Sequence, residues 1–573
     1  MAVKPKRVVL EMPAYPRPEE GRHAYVRLDF NENTSGFPAA YPQNMPHLSI
    51  SAYPEYGALV ERLARFYDIP ADWLMLTNGS DEGLFVTAHT FIEPGEDTAV
   101  VSRPCFVVIP HCLKLAGAEV IPVPVLSDLS FDVAGIDKAL KKGVKIAMFA
   151  TPENPTGAVL DDETIRNWCR QYPDTLFAID EAYGEFAESS MLGDIAKFDN
   201  LLVLKTFSKA WGMAGLRLGI VFGNPKLLEY MHVVRMPYTV NSAAVWTAAQ
   251  LLDRHAEVKA AVARVIEEKA RLAGALAERG IKIDLGKANS ILLHAGINAQ
   301  PLTDYCREQG VLVRNRSSDR FECASNGNRS ATWGKVRVSI GSREETDRLL
   351  AAIDRFNNSY ALMFDLDGTI VDVTGSYDQV VHQLVHRHSG TALPAEELRL
   401  LRAEGGFNDD WEAVVEILKR RGFKVPLQQI ARQGLELYLS SAKGKEPLLV
   451  DLATLQRLGS RHPLFVVTGR TRAEYDPLWA DELNAIFKRV LCLHDLPGKQ
   501  AKPSPDYLAH LLDEFHLKGG VYVGNAVDDM QAARAAGLDA IGITTTHPSE
   551  VLLAAGAHLA VSSVEALTEV FMI

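Results

Sequence analysis

Leu201-Leu202-Val203-Leu204-Lys205-Thr206-Phe207-Ser208-Lys209 runs from a wholly apolar stretch into a polar loop, and Gly215-Leu216-Arg217-Leu218-Gly219 follows close behind. Consecutive branched apolar residues bounded by polar ones read as a strand buried on both faces, the kind found in parallel sheets. The loop after it is chemically rich. Ser208 and Arg217 can both donate to phosphate oxygens, Arg217 as a planar fork, and Lys209 brings an amine to the strand's carboxyl end.

Working outward, the same alternation of apolar runs and helical patterns extends over residues 72–220, with strands expected at 74–77, 144–150 and 176–179. It indicates a parallel sheet covered by helices. Each run ends in residues with a use at one cleft. Asp180 follows 176–179 and can hold a protonated ring nitrogen. Tyr183 and Asn154, the latter in Thr151-Pro152-Glu153-Asn154-Pro155-Thr156-Gly157, can reach a ring hydroxyl. The loop Asn78-Gly79-Ser80-Asp81-Glu82-Gly83 opens a helix, so its free N–H groups can cradle a phosphate, with Ser80 and Asp81 in the first turn. A lysine amine, a carboxylate for a pyridinium and a phosphate nest are what pyridoxal phosphate (PLP) requires. Taken singly, Asn154-Pro155 is an ordinary turn and Asp180 or Ser80 an ordinary helix cap. Together, in this order and at these strand ends, they make a PLP site.

A second signature starts afresh from the apolar run 361–364: Asp365-Leu366-Asp367-Gly368-Thr369. Two aspartates one residue apart at a strand end share a face. Asp365 can attack phosphorus, while Asp367 protonates the leaving oxygen and later activates water. An anionic nucleophile meeting an anionic ester needs a cation, and oxygen ligands favour Mg²⁺. Thr468 after 464–467 can bind a phosphoryl oxygen, and Lys502 in Lys502-Pro503-Ser504-Pro505-Asp506 can neutralise the nucleophile–phosphate pair. Gly524-Asn525-Ala526-Val527-Asp528-Asp529 follows the strand at 521–523 and supplies metal oxygens from Asn525 and Asp529, beside Asp365 and Asp367.

The bulk properties agree with two catalytic halves. A chain of 573 residues exceeds one ordinary core. Its net charge of −12 points away from nucleic acid. Cys105, Cys112, Cys169, Cys306, Cys323 and Cys492 lack paired spacing and suit a reduced cytoplasm. No stretch reaches the roughly 20 apolar residues of a membrane span, and residues 1–11 are too weakly apolar for a signal peptide. A helix is expected over 255–279, stopped by Gly280, and a smaller α+β region over 281–356. Asn357-Asn358-Ser359 reads as a short linker.

Residues 25–355 resemble the fold-type I PLP aminotransferases, specifically the histidinol-phosphate aminotransferases. The resemblance rests on Asp29-Phe30-Asn31-Glu32-Asn33, Tyr53-Pro54, the Asn78, Asn154 and Lys209 blocks and Val336-Arg337-Val338-Ser339-Ile340-Gly341. It implies a large α/β domain over about 50–280 and a small α+β domain made of the N-terminal arm with about 281–356. Lys209 would form the Schiff base and carry the proton. Ser80, Asp81, Asn154, Asp180, Tyr183, Ser208 and Arg217 would hold PLP. Arg337 would grip the donor's α-carboxylate, Arg314 would help bind the substrate phosphate or the glutamate side chain, and Asn31 would join them. Tyr53 would reach a neighbouring subunit's cofactor in a homodimer. The family usually stacks a tyrosine on the ring, and Phe106 stands there in this chain.

Residues 360–573 resemble the haloacid dehalogenase-superfamily phosphatases, a Rossmann-like domain with a helical cap over about 375–449. The stretch Gly405-Gly406-Phe407-Asn408-Asp409-Asp410-Trp411 is a candidate specificity loop. Asn525 replaces an acidic residue usual in that family, which implies weaker Mg²⁺ binding. The order of the two halves implies amination of a phosphorylated ketone by glutamate and then dephosphorylation, with imidazole acetol phosphate and histidinol phosphate as the leading case. Another phosphorylated metabolite, an amino-acid phosphate decarboxylase, or a non-catalytic phosphatase-like module are the competing expectations.

Overall fold

The strand Leu201–Thr206 lies inside a seven-stranded sheet with every residue buried. The computed structural model describes residues 21–34, 53–187, 189–317, 331–404, 410–441 and 446–570. The chain divides into two compact units, Met1–Ala352 and Ile353–Ile573.

The large sheet of the first unit comprises β1 (Leu74–Thr77), β2 (Thr98–Arg103), β3 (Glu119–Pro124), β4 (Ile146–Ala150), β5 (Leu176–Asp180), β6 (Leu201–Thr206) and β7 (Gly219–Gly223), in the order β1-β7-β6-β5-β4-β2-β3. Strands β2 to β6 are parallel, as the sequence indicated. Strand β7 is the exception, antiparallel to both β6 and β1. A parallel return needs a long crossover, usually a helix. Residues 207–218 form instead a loop with one short turn at Ala214–Leu216, so the chain doubles back. That reversal aligns Thr206, Gly219 and Thr77 in one row at the carboxyl edge of the parallel strands. Helix α1 (Gly79–Phe91) starts from the same edge.

Helix α2 (His255–Glu278) ends before Gly280, which takes the left-handed conformation that favours glycine. It leads to a smaller antiparallel sheet of β8 (Ile283–Asp284), β9 (Ser290–His294), β10 (Arg314–Asn315) and β11 (Lys335–Ser339), ordered β10-β11-β9-β8. The N-terminal arm joins this part, because Val26–Arg27 pairs in parallel with Val311–Leu312.

The expected linker at Asn357, Asn358 and Ser359 is the last turn of helix α3 (Arg343–Ser359). Asn358 Nδ2 donates to Asp354 O at 2.9 Å and Ser359 Oγ to Arg355 O at 2.8 Å. Polar side chains here fold back on the helix rather than ending it, and Ser359 Oγ also reaches Phe356 O at 3.3 Å, one of the last four carbonyls that lack an intrahelical N–H partner.

In the second unit β12 (Tyr360–Phe364), β13 (Leu464–Thr471), β14 (Arg489–Leu493), β15 (Gly519–Gly524), β16 (Asp539–Ile543) and β17 (Leu559–Val561) form one parallel sheet, ordered β14-β13-β12-β15-β16-β17. Met363, Phe465 and Tyr522 belong to its core. Between β12 and β13 the cap helices α4 (Tyr377–Ser389), α5 (Ala395–Glu404), α6 (Asp410–Arg420) and α7 (Leu427–Ser441) enclose a separate apolar core with Val380, Leu384, Val414 and Tyr438. Among the described residues, no helix is long and apolar enough to cross a membrane.

Candidate active sites

In the first unit the strand ends bring the expected residues together. Asp180 closes β5, almost fully buried, and accepts from Ala182 N at 3.0 Å. Burial pushes its carboxyl up to about 7, the Asp81 charge adds to this, and Lys209 pulls the other way. The Lys209 ammonium lies 5.6 Å from the Tyr183 ring centre and donates to Phe30 O at 3.1 Å. The Tyr183 hydroxyl accepts from Asn31 Nδ2 at 3.2 Å and from Asn154 Nδ2 at 3.5 Å. With both neighbours donating, the hydroxyl's own proton can serve an acceptor.

The residues expected to hold a phosphate also meet. Thr206 Oγ1 bonds Ser208 Oγ at 3.0 Å, and Arg217 Nη1 donates to that same Ser208 oxygen at 3.2 Å. Arg217 Nη2 reaches Asp81 at 2.9 Å in the first turn of α1, where Ser80 is buried. Gly79 makes this approach possible: a Cβ there would sit 2.4 Å from Arg217 Nη2. A buried carboxylate, an amine and an anion cradle that begins at Gly79, whose φ of 75° favours glycine, fit PLP. Phe106 is half-buried beside them, and its N–H donates to Glu153 Oε1 at 3.1 Å, the oxygen that Asn154 N also uses at 2.8 Å.

Arg337 stands opposite Arg314 in the register of β10 and β11. It is buried, with Nη1 donating to Asn154 Oδ1 at 2.6 Å and Nη2 to Asp29 O. Its Nε has no hydrogen-bond partner among the described residues. Burial, with Arg316 and then Arg314 adding repulsion, brings its pKa down to about 10. Such a guanidinium calls for an anion. Arg314 lies over the Phe30 ring at 6.0 Å. Tyr53 stands apart, 76% exposed and stacked on Tyr238 at 4.4 Å.

Sequence reasoning missed the support beneath this site. Lys205 pairs with Glu181 at 2.9 Å, both buried, and Glu181 also accepts from Ser190 Oγ at 2.5 Å and Met191 N at 2.6 Å. Burial alone would lower the Lys205 pKa; Glu181 and Glu185 more than reverse this. The pair ties the segment carrying Asp180 and Tyr183 to β6, the strand that leads into the loop with Lys209. Its only sequence signal was a charged residue inside an apolar strand.

In the second unit Asp365 follows β12, and Lys502 donates to its Oδ1 at 2.7 Å and to Asp529 Oδ1 at 2.6 Å. Lys502 also donates to the Tyr522 hydroxyl at 3.0 Å. One cation shared by two carboxylates leaves a buried negative charge, and burial raises the Asp365 pKa against the pull of Lys502. Thr468 is buried within β13, its Oγ1 accepting from Arg470 N at 3.1 Å. Asp367 is held by Arg470 at 2.5 Å, a partner the sequence did not suggest.

Of the four expected metal ligands, Asp365 and Asp529 therefore meet on Lys502 and Asp367 turns to Arg470. Asn525 donates to Thr546 Oγ1 at 2.6 Å and accepts from Thr369 Oγ1 at 3.4 Å. Among the described residues no three Asp, Glu, His or Cys side chains form a metal-holding group. The carboxylate of Asp365 and the amide oxygen of Asn525 are hard oxygen donors, of the kind that Mg²⁺ takes. Of the candidate specificity loop, residues 405–409 lie outside the described residues. Asp410 and Trp411 line a small cleft with Asp367, Tyr377, Arg470 and Glu474.

Comparison with known proteins gives a consistent result. The family model for aminotransferase class I and II matches residues 31–353, and that for haloacid dehalogenase-like hydrolases matches 361–537. The histidinol-phosphate aminotransferase of Symbiobacterium thermophilum is 34% identical over 342 residues, 58% of this chain and 91% of the relative. That of Roseiflexus castenholzii is 33% identical over 339 residues, 57% of this chain and 88% of the relative. Among solved structures, histidinol-phosphate aminotransferase from Sinorhizobium meliloti in complex with pyridoxal-5'-phosphate has a TM-score of 0.53 at 20% identity, over 61% of this chain and 95% of that one. At that identity the likeness shows the fold alone.

Proposed function

Since the chain belongs to the aminotransferase class I and II family and continues into a haloacid dehalogenase-like hydrolase domain, we propose that it performs two consecutive reactions on one phosphorylated metabolite. The first is PLP-dependent transfer of an amino group from glutamate to a phosphorylated ketone. The second is hydrolysis of the resulting amino-alcohol phosphate. Imidazole acetol phosphate and histidinol phosphate are the proposed pair, supported by the names of the relatives.

The observation that carries the substrate class is the group of Arg314, Arg316 and Arg337 beside Asn154 and Tyr183. Three guanidinium groups at one site suit a substrate bearing more than one anionic charge. PLP, when bound, supplies an aldehyde that condenses with amines and a ring that accepts the electron pair from Cα. Lys209 moves the proton off and onto carbon. Asp180 holds the ring nitrogen protonated, and Tyr183 with Asn154 positions the ring oxygen. Ser208, Arg217 and the start of α1 hold the phosphate, while Arg337 fixes the α-carboxylate. Tyr53, exposed on one protomer, is proposed to complete the site of a second copy.

In the hydrolase unit, Asp365 attacks phosphorus and the ester P–O bond breaks. The leaving oxygen takes a proton from Asp367. Asp367 then removes a proton from the water that releases phosphate from Asp365. Thr468 and Lys502 bind and neutralise the phosphoryl oxygens. Mg²⁺, held by Asp365 with Asn525, would reduce the repulsion between the two anions.

The test supplies histidinol phosphate and Mg²⁺ to the full chain and follows inorganic phosphate. Release supports the reading. Silence with histidinol phosphate alongside rapid release from another amino-alcohol phosphate would remove the histidine assignment and keep the two-step order. A second reading has specific support in Asn525 and in the engagement of Asp367 by Arg470: a domain that binds phosphorylated ligands without hydrolysing them. Under it, Asp365→Asn leaves phosphate release at the wild-type level.

A further inference from the structure

One arginine joins the reacting loop of the second unit to the base of its cap. Arg470, 1% exposed, donates to Asp367 Oδ1 from Nε at 2.8 Å and from Nη2 at 2.5 Å. Its Nη1 donates to the Tyr438 hydroxyl and, at 3.0 Å, to Glu446 Oε2. The guanidinium lies 5.2 Å from the Tyr377 ring centre and 5.5 Å from that of Tyr438. Glu446 also accepts from Ser376 Oγ and, at 3.0 Å, from Trp479 Nε1.

Ser376 directly precedes α4, and Glu446 follows α7 where the chain leaves the cap. The two connecting segments pair with each other. Asp372 N donates to Pro447 O at 2.9 Å and Leu449 N to Ile370 O at 2.8 Å. Val371 bridges both Asp367 and Leu448. The Asp365–Asp367 loop, both connecting segments and two cap aromatics thus share one buried cation.

A buried ion pair is weak support for stability, since apolar residues of similar volume often serve as well. What a guanidinium fork adds is direction, because its donors define where the carboxylate oxygen must lie. We propose that Arg470 is a positioning residue that sets the orientation of the Asp367 carboxylate and couples it to the two connecting segments of the cap. A displacement of the cap then turns Asp367, and a change at Asp367 loosens the cap's base. The catalytic consequence rests on Asp367 serving as proton donor; the coupling itself does not.

Hydrogen exchange on the full-length chain reads the coupling without turnover. Asp367→Asn is nearly isosteric at a partly exposed position and leaves Glu446 paired with Arg470, and amides of the β12 and β15 strands, away from the cap, report whether the fold is kept. The Asp372 and Leu449 amides should exchange on the order of tenfold faster in this variant. Arg470→Lys, which keeps the charge and loses the fork, should do the same, and the double variant should exchange no faster than either single one. Unchanged amides in Asp367→Asn, or accelerations that multiply in the double variant, would overturn the coupling. Hydrolysis gives a second readout. Arg470→Lys should slow turnover of an alkyl phosphate, whose leaving oxygen needs a proton, more than that of p-nitrophenyl phosphate, with KM little changed. Equal losses on both esters would mean that Arg470 only holds the fold. If the wild-type chain hydrolyses neither ester, the phosphatase reading falls, and the exchange result alone decides the coupling.

Discussion

The two units differ in where their buried charges find a counter-charge, although burial raises the carboxyl pKa of Asp365 as it does that of Asp180. In the first, Asp180 is buried with an acidic neighbour and Arg337 with two arginines, and the pKa of each is displaced toward its neutral form. In the proposed reaction their partners are a pyridinium and a carboxylate, which come from outside the chain. In the second, Asp365 and Asp529 already share Lys502, and Asp367 already holds Arg470. Burial acts on both sites alike. The difference lies in where the counter-charge resides, and it teaches that the first site is built around its guests while the second is largely closed on itself.

The sharpest way to break this comparison is to silence each unit separately. Lys209→Ala should lower transamination by at least about 10⁴-fold, and Asp365→Asn should do the same to phosphate release. Each should leave the other reaction at its wild-type rate when assayed with its own substrate. Cross-effects of similar size would show that the two centres do not act independently.

Next in size, Asp180→Asn should reduce transamination by about 10²- to 10³-fold and weaken PLP binding, measured by cofactor titration. It also carries a pH signature. With its folded pKa raised from 3.8 to about 7, Asp180 keeps its proton in the folded protein across a range where the unfolded chain has lost it. Cofactor-free protein should therefore lose stability as pH rises from about 4 to 7. Thermal melts of Asp180→Asn should show a shallower slope, and bound PLP should flatten it in the wild type. An unchanged slope in the variant would remove Asp180 from this role.

A gain is expected in the second unit. Asn525→Asp restores a carboxylate beside Thr369 and Thr546, whose hydroxyls can turn to donate to it. Mg²⁺ affinity should rise about tenfold, since ligand charge governs such sites, as read by calorimetry. No gain would place the cation elsewhere. The smallest effect is expected at Phe106, where Phe106→Tyr keeps the ring and adds a hydroxyl at a half-buried position. Transamination should stay within about threefold, and a larger change would give the ring edge a polar role that stacking does not need.

Much of this was legible because the candidate residues sit at strand ends. The runs 74–77, 176–179, 201–204 and 361–364 are strands, and Asp180, Lys209 and Asp365 follow them closely or directly. Fully buried strands give continuous apolar runs that a single sequence displays. The reversal of β7 was not legible, because strand direction depends on what the intervening loop does rather than on the strand's own composition. Asn357 to Ser359 read as a linker from polar composition, yet such side chains can bond back to helix carbonyls. Arg470 was missed for a different reason. Its partners Asp367, Tyr438 and Glu446 come from three separate segments, and no local spacing announces contacts made by folding.

The central claim, two reactions in series on one phosphorylated metabolite, is tested most directly with the full-length chain, PLP, Mg²⁺, glutamate and imidazole acetol phosphate, following 2-oxoglutarate, the phosphorylated amine and inorganic phosphate together. The account predicts that 2-oxoglutarate appears first and phosphate after it, that omitting glutamate removes both, and that Asp365→Asn accumulates the phosphorylated amine. Phosphate released at the same rate without glutamate, or from the Asp365→Asn variant, would contradict it.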